Sequence, residues 1–201
     1  MDKFKNKYRI PSARLQSWDY GANGAYFITI CTQNRKEFFG KMLPAKEFGV
    51  STMQLNEMGQ LAEKYWMEIP HHFPFIELGN FVVMPNHTHG ILIIDKMDRV
   101  TNDDTIPIVL ESREFLVSKT IGQMRFQNQG KNTTSSIVGS YKSVVTKNAR
   151  LIDPNFGWQT RFHDHIIRDA KSFENIQNYI ANNPANWGKN KFQIPESKSS
   201  R

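Results

Sequence analysis

Phe81-Val82-Val83-Met84-Pro85-Asn86-His87-Thr88-His89-Gly90-Ile91-Leu92-Ile93-Ile94 is the stretch whose reading decides the fold. Two apolar runs rich in Val and Ile flank a short polar centre, the composition of strands buried in a sheet. Pro85 removes a ladder donor and Asn86 favours a turn, so the stretch reads as two strands joined tightly in an antiparallel pair. Alternate side chains of a strand share a face. His87 and His89 therefore project side by side, a geometry suited to a shared divalent metal. The same spacing fits two histidines hydrogen-bonded to neighbouring strands, because imidazoles in so apolar a setting need partners either way.

Working outward, Phe75 to Val83 and Thr88 to Ile94 form the pair, and Ala25 to Thr32 is a further strand of aromatic and β-branched residues. Phe38 to Val50, broken by Gly40, Pro44 and Gly49, predicts short strands or a hairpin at the sheet edge. Leu55, Met58, Leu61, Ala62, Tyr65 and Trp66 recur at three- and four-residue steps, predicting a helix from about Gln54 to Ile69 that Pro70 stops. His71 and His72 then fall in a surface loop. Ser135-Ser136 caps a helix from Ile137 to about Leu151, and Asp153-Pro154-Asn155 is a turn. His163 to Asp169 is the fourth strand. Asp169 or Ser172 caps a last helix, Phe173 to about Asn182, which Asn182-Asn183-Pro184 ends, and Trp187 packs back on the sheet. Strand, helix, strand, strand, helix, strand is the split βαβ order of a ferredoxin-like α+β sandwich, an antiparallel sheet with helices on one face, here followed by one more helix.

The domain reading is a basic N-terminal arm over residues 1–24, one catalytic domain over 25–190 and a flexible tail over 191–201. Residues 95–134, polar and uneven, are longer than an ordinary connection and form an insertion or loop. A chain of 201 residues with 39% hydrophobic and 22% charged side chains suits one globular domain with a real core. No apolar run approaches the roughly 20 residues of a membrane span. The basic N-terminus lacks a signal peptide's apolar core. Cys31 is the single cysteine, which excludes an intramolecular disulfide and a cysteine-based metal site. A cytoplasmic protein with no membrane partner is expected.

A net charge of +7 points to a polyanionic partner, nucleic acid first. Between Lys119 and Lys171 nine basic residues, among them Arg125, Lys142, Lys147, Arg161 and Arg168, face only Asp153, Asp164 and Asp169. Residues 1–14, including Arg14, add five basic groups against Asp2. Phe126, Tyr141, Trp158 and Phe162 interleave with the charge, a pattern that suits single-stranded nucleic acid.

His163-Asp164-His165 repeats the geometry of the first pair, but Arg161 and Arg168 flank it, which suits contact with an anion. Two histidines are an incomplete site for most divalent ions, which then need oxygen donors or water. Tyr179 and Asn183, four residues apart, share a helical face if the last helix persists to Pro184. Packed on the sheet, that helix brings a phenol nucleophile and an amide oxygen ligand to the histidine pair. A phenol, with a reference pKa of about 10, needs a cation nearby or a proton acceptor to attack at neutral pH. Tyr141, on the other late helix, is the rival nucleophile, and geometry alone does not choose.

Met84-Pro85-Asn86-His87-Thr88-His89-Gly90, followed far downstream by Asn178-Tyr179-Ile180-Ala181-Asn182-Asn183-Pro184, resembles the HUH single-tyrosine transposases of bacterial insertion sequences. Tyr8-Arg9-Ile10-Pro11-Ser12-Ala13-Arg14-Leu15, Trp18-Asp19-Tyr20 and Phe162-His163-Asp164-His165-Ile166-Ile167-Arg168 look like their REP-associated, or IS200-like, tyrosine transposase branch. The resemblance runs from about Tyr8 to Trp187. Thr88 departs from the large hydrophobic residue that names the motif, while keeping the pair in register. The resemblance implies a ferredoxin-like fold and cleavage of single-stranded DNA, dependent on Mg²⁺ or Mn²⁺, through a 5′-phosphotyrosine link. By position, Tyr179 matches the nucleophile, His87 and His89 the metal pair, and Asn183 a further amide ligand. Arg14, Arg125, Lys142, Lys147, Arg161, His165 and Arg168 are the expected DNA contacts. The partner it implies is a hairpin or imperfect palindrome, including ones flanking the chain's own gene. Relatives include monomers and homodimers that share active sites. Two alternatives stand beside it: a domesticated hairpin-binding protein that does not cleave, and a relaxase-like or replication-initiator nickase.

Overall fold

The computed structural model describes residues 18–44, 50–96 and 130–189. The apolar runs around the histidines fold as expected: β4 (Ile76–Met84) and β5 (His87–Ile94) pair antiparallel across Pro85-Asn86. β1 (Gly24–Cys31) lies on the other side of β5, and β6 (His163–Ile167) pairs with β1. The sheet order β4-β5-β1-β6, all antiparallel, is that of a ferredoxin-like α+β fold.

Strand periodicity sorts the two faces. Tyr26, Ile28 and Ile30 of β1, with Leu92 and Ile94 of β5, face α1 (Glu57–Met67) and α3 (Thr134–Ile152) in the larger core. Ala25 and Phe27, with Ile91 and Ile93, face α4 (Ala170–Ala181), whose Phe173, Ile176 and Ile180 complete a second, smaller cluster. The histidines share the odd-numbered face with Ile91 and so look toward α4. Thr88 and Gly90 look toward α1. Trp66 of α1, fully buried, lies against Gly90, where any Cβ would overlap its ring carbons. The helix thereby seats directly on the backbone that carries the histidine pair.

Several boundaries differ from expectation, each for a local reason. Residues 52–55 are not the start of a helix: β3 (Thr52–Leu55) pairs with β2 (Gly40–Leu43) in a separate two-stranded sheet rather than at the edge of the main one. The Asn56 side chain then accepts from Gly59 N–H at 2.9 Å and caps α1. Pro70 ends nothing on its own. It sits in the first turn of α2 (Ile69–His72), where its missing N–H costs no helical bond, and His71 and His72 are exposed helical residues rather than a loop. α3 starts at Thr134, earlier than expected, because Thr133 and Ser136 form a reciprocal capping box. α4 likewise starts at Ala170, with Asp169 Oδ1 accepting from Ser172 N–H at 2.8 Å.

Residues 18–24, read as the end of an arm, are tied to the domain. Trp18 Nε1–H donates to Tyr26 Oη at 3.2 Å, and Thr134 N–H donates to Tyr20 C=O at 3.0 Å. The rest of the arm, residues 97–129 of the expected insertion, and the expected tail lie outside the described residues. Among the described residues no helix is long and apolar enough to cross a membrane.

The seating of Trp66 on Gly90 carries a measurable consequence. Gly90→Ala inserts a methyl group where no space exists, and the expected loss of stability is about 1–3 kcal/mol. Urea unfolding of the two proteins, followed by tryptophan fluorescence, checks it.

Candidate active site

The site begins with two side chains that orient the imidazoles. Asn86, in the β4–β5 turn, accepts through Oδ1 from His87 Nδ1–H at 2.8 Å. Thr29, opposite His89 in the β1–β5 ladder, contacts His89 Nδ1 through Oγ1 at 2.8 Å. Both Nδ1 atoms are thus engaged by oxygen, the arrangement that fixes ring orientation in metal-binding histidines and leaves Nε2 as the ligating atom. The rings stand 4.5 Å apart, both fully buried. Trp187, just past α4, stacks over His87 at 6.0 Å, and Phe27 stacks on His89 at 5.2 Å. Burial first, and the charge of Arg35 second, hold the His87 pKa down at about 3, so the ring is neutral as a ligand has to be.

α4 brings the third component. Its inner face is set by Ile176 and Ile180. A bulge in β4 between Leu78 and Phe81 also turns Asn80 toward it, where Asn80 N–H donates to Gln177 Oε1 at 2.6 Å and its side-chain amide donates to Gln177 C=O at 3.3 Å. Tyr179 is thereby held over the pair, Oη 3.4 Å from His89 Nε2 and its ring edge-on to Phe27. It remains 44% exposed. Partial burial raises its pKa, and a hydrogen bond from the Asn183 side chain acts in the opposite direction. Asn183 reaches this position although the helix ends at Ala181, because its N–H continues the turn to Ile180 C=O at 3.2 Å and its side chain is buried.

Tyr141, the rival nucleophile, lies on the other face of the sheet. It is fully buried, its hydroxyl donates to Ala62 C=O at 3.1 Å, and burial pushes its pKa up. Among the described residues no group of three His, Cys, Asp or Glu side chains is placed to hold a metal. A cation at the histidine pair would draw its remaining ligands from the Asn183 amide, water or substrate oxygens.

The expected DNA contacts separate. Lys142 is turned inward: its ammonium donates to Gln159 C=O at 2.7 Å and Thr160 C=O at 3.3 Å, and partial burial lowers its pKa, so it holds a loop rather than waiting for a phosphate. Lys147 is exposed on α3, across the sheet from Tyr179. Arg161 and Arg168 are exposed at the two ends of β6. His163 and His165 are exposed opposite Thr29 and Phe27, so they extend the face that bears His89 to the sheet edge. Arg14 and Arg125 lie outside the described residues. Sequence reasoning missed Thr29, Asn86, Asn80 and Gln177. Asn86 adjoins the pair and was legible as its neighbour; the others meet the site only through register and a bulge.

No family model matches the chain. It is 35% identical over 187 residues, 91% of this chain and 92% of the other, to an uncharacterized protein of Haemophilus influenzae (strain ATCC 51907 / DSM 11121 / KW20 / Rd). It is 26% identical over 170 residues, 85% of this chain and 75% of the other, to a protein of the same strain described as a "Putative REP-associated tyrosine transposase". Its fold matches that of a REP-associated tyrosine transposase solved bound to a REP hairpin, with a TM-score of 0.52, 20% identity, and coverage of 90% of this chain and 77% of that one. The likeness to the solved structure is one of fold. The chain is thus similar in sequence to a putative REP-associated tyrosine transposase and shares the fold of a solved one.

The buried neutral His87 has a pH consequence. Between about pH 6.5 and about pH 3 the unfolded chain binds a proton that the folded chain refuses, so stability rises with pH and is lost as pH falls through that window. The His87 share of the slope approaches about 1.4 kcal/mol per pH unit. Urea unfolding at pH 7 and pH 5 is expected to show a smaller loss for His87→Gln than for the unaltered protein.

Proposed function

We propose that the chain cuts and rejoins single-stranded DNA at hairpins, using Tyr179 as nucleophile at a divalent-metal site made by His87, His89 and Asn183. The observation that carries this reading is the placement of the Tyr179 hydroxyl 3.4 Å from His89 Nε2, on the open side of a pair of oriented, buried imidazoles. Two Nε2 donors and one amide oxygen suit Mg²⁺ or Mn²⁺ provided water or phosphate oxygens complete the set. A bound cation supplies positive charge that polarises the phosphoryl oxygens and offsets the charge of the transition state.

The chain's own residues do the rest. Tyr179 Oη attacks the phosphorus, the P–O3′ bond breaks, the phenolic proton leaves to water from a half-exposed side chain, and the departing O3′ takes up a proton from water. The products are a 5′-phosphotyrosine and a free 3′-hydroxyl, and attack by a 3′-hydroxyl on the phosphotyrosine reverses the step. The Asn183 amide can present N–H to the phenolate oxygen and its carbonyl to the cation. Thr29 and Asn86 hold the imidazoles so that little reorganisation accompanies the reaction. Arg161, His165 and Arg168 line the sheet edge along which a strand would run. The REP hairpin bound to the protein of shared fold and the net charge of +7 support hairpin DNA as the substrate class.

The test uses oligonucleotides that fold as imperfect palindromes with single-stranded flanks, drawn from DNA around the gene. With Mg²⁺ or Mn²⁺ the protein is expected to form a denaturant-resistant covalent adduct that Tyr179→Phe abolishes and Tyr141→Phe retains. An adduct lost only in Tyr141→Phe overturns the nucleophile. Tight hairpin binding without an adduct under either metal makes the protein a non-cleaving binder. Separately, Thr29→Val is expected to weaken Mn²⁺ binding by about 10–100-fold, measured calorimetrically, since the hydroxyl acts through His89.

A further inference from the structure

The segment that follows β1 is tied to the histidine pair. Past Cys31, the last residue of β1 and opposite His87, Thr32 donates its N–H to Asn86 C=O at 2.9 Å, and its one hydroxyl proton is shared between Lys36 C=O at 2.7 Å and Asn86 C=O at 3.0 Å. A single 3₁₀ turn follows, Gln33–Arg35, with Asn34 at φ 54° and Arg35 at φ 55°. Two consecutive non-glycine residues in the left-handed region are costly, and such strain persists only where surrounding structure enforces it. Here the enforcement comes from both sides. Arg35 N–H donates to Thr32 C=O at 3.1 Å, Gln33 N–H donates to Gly157 C=O at 2.7 Å, and Gln159 N–H donates to Cys31 C=O at 2.9 Å. The turn thus shares a rigid frame with Asn86, the residue that orients His87.

Beside it lies an open groove of about 700 Å³, lined by Gln33, Asn34, Arg35, Trp158, Gln159 and Thr160. Of these, Arg35 alone is charged. The others offer side-chain amides and a hydroxyl, groups that meet base edges and sugar–phosphate oxygens, while the Trp158 indole N–H is donated to Lys142 C=O. The carbonyls of Gln159 and Thr160, which would repel an anion, are already occupied by the Lys142 ammonium. The volume falls within the roughly 300–1,000 Å³ of sites that take a ligand the size of a nucleotide. The groove adjoins the site through hydrogen bonds, since Thr32, which opens the turn, donates to Asn86 C=O and Asn86 orients His87.

We propose that this groove seats the single-stranded nucleotide next to the scissile linkage, with Arg35 holding its phosphate. The inference rests on the hairpin-cleavage reading above and adds a positioning residue to it. The twisted turn aims a cation at the strand without placing it among the metal ligands. The hairpin stem is not involved, so the contact distinguishes a flanked hairpin from a bare one.

Binding separates this inference from the chemistry. Tyr179→Phe protein, which cannot cleave, is titrated by fluorescence anisotropy with a hairpin carrying single-stranded flanks and with the same hairpin lacking them. Adding Arg35→Gln is expected to weaken flanked-hairpin binding about tenfold and to reduce the salt slope by about 0.7, the share of one single-strand phosphate. Binding to the bare hairpin should not change, and Arg35→Lys should keep the slope. Replacing flank phosphates one at a time by methylphosphonates should reveal one position at which the parent loses affinity and Arg35→Gln does not. Unchanged affinity and slope in Arg35→Gln, or equal weakening on both hairpins, overturns the proposal. So does a methylphosphonate scan of the parent with no sensitive position, a result independent of how the variant folds. Failure of the parent to bind flanked hairpins at all overturns the functional reading itself.

Discussion

The antiparallel register of β1 against β5 is the constraint on which the rest of the structure depends. It pairs Thr29 with His89 and Cys31 with His87, and it assigns every odd-numbered residue of both strands to the face that α4 covers. Because side chains alternate with period two, a slip of one residue would send both imidazoles into the large core under Trp66 and expose Leu92 and Ile94 to the other side. The apolar flanks make that slip prohibitive. The histidine pair is therefore placed by hydrophobic patterning several residues away rather than by any feature of the histidines.

The second component reaches the first through a helix held at three kinds of contact. Asp169 caps its start, Ile176 and Ile180 bury against Ile91 and Phe27, and the Asn80 bulge grips Gln177. Tyr179 lies between Ile176 and Ile180 in sequence but at the margin of their stripe in space, which leaves the side chain half-exposed over His89. A fully buried phenol could not meet a DNA backbone, and a fully exposed one would not be held near the imidazoles. Tyr141 shows the contrast: it is sealed in the core and bonded to a helix carbonyl.

The ferredoxin-like architecture concentrates polar support at one end of the sheet. Asn86, Thr32, the Gln33–Arg35 turn and Gln159 are joined by backbone and side-chain hydrogen bonds, with Lys142 anchoring the far side. Burying the imidazoles there is tolerable because each has an oxygen partner at Nδ1. The same frame carries the strained Asn34–Arg35 pair, so orientation of the histidines and presentation of the nearby cation are mechanically one feature.

How much of this was legible follows from the range of the interactions. The strands around His87, the α1 stripe of Met58, Ala62 and Trp66, and the i,i+4 spacing of Tyr179 and Asn183 are local, so the sequence by itself determined the element order, the ferredoxin-like class and the shared face of the two histidines. Helix starts were misread wherever a cap outweighed the apolar period: Asn56 displaced a start at Gln54, and Thr133 with Ser136 displaced one at Ile137. Only the tertiary structure set Tyr179 over the histidines and Tyr141 in the core, because that depends on which face of the sheet each helix covers. It alone showed Lys142 spent on two carbonyls, and it alone brought Thr29, Asn80 and Arg35 to the site. Those residues act across strand register, a bulge and a left-handed turn, and such contacts between distant segments leave no periodicity in the chain.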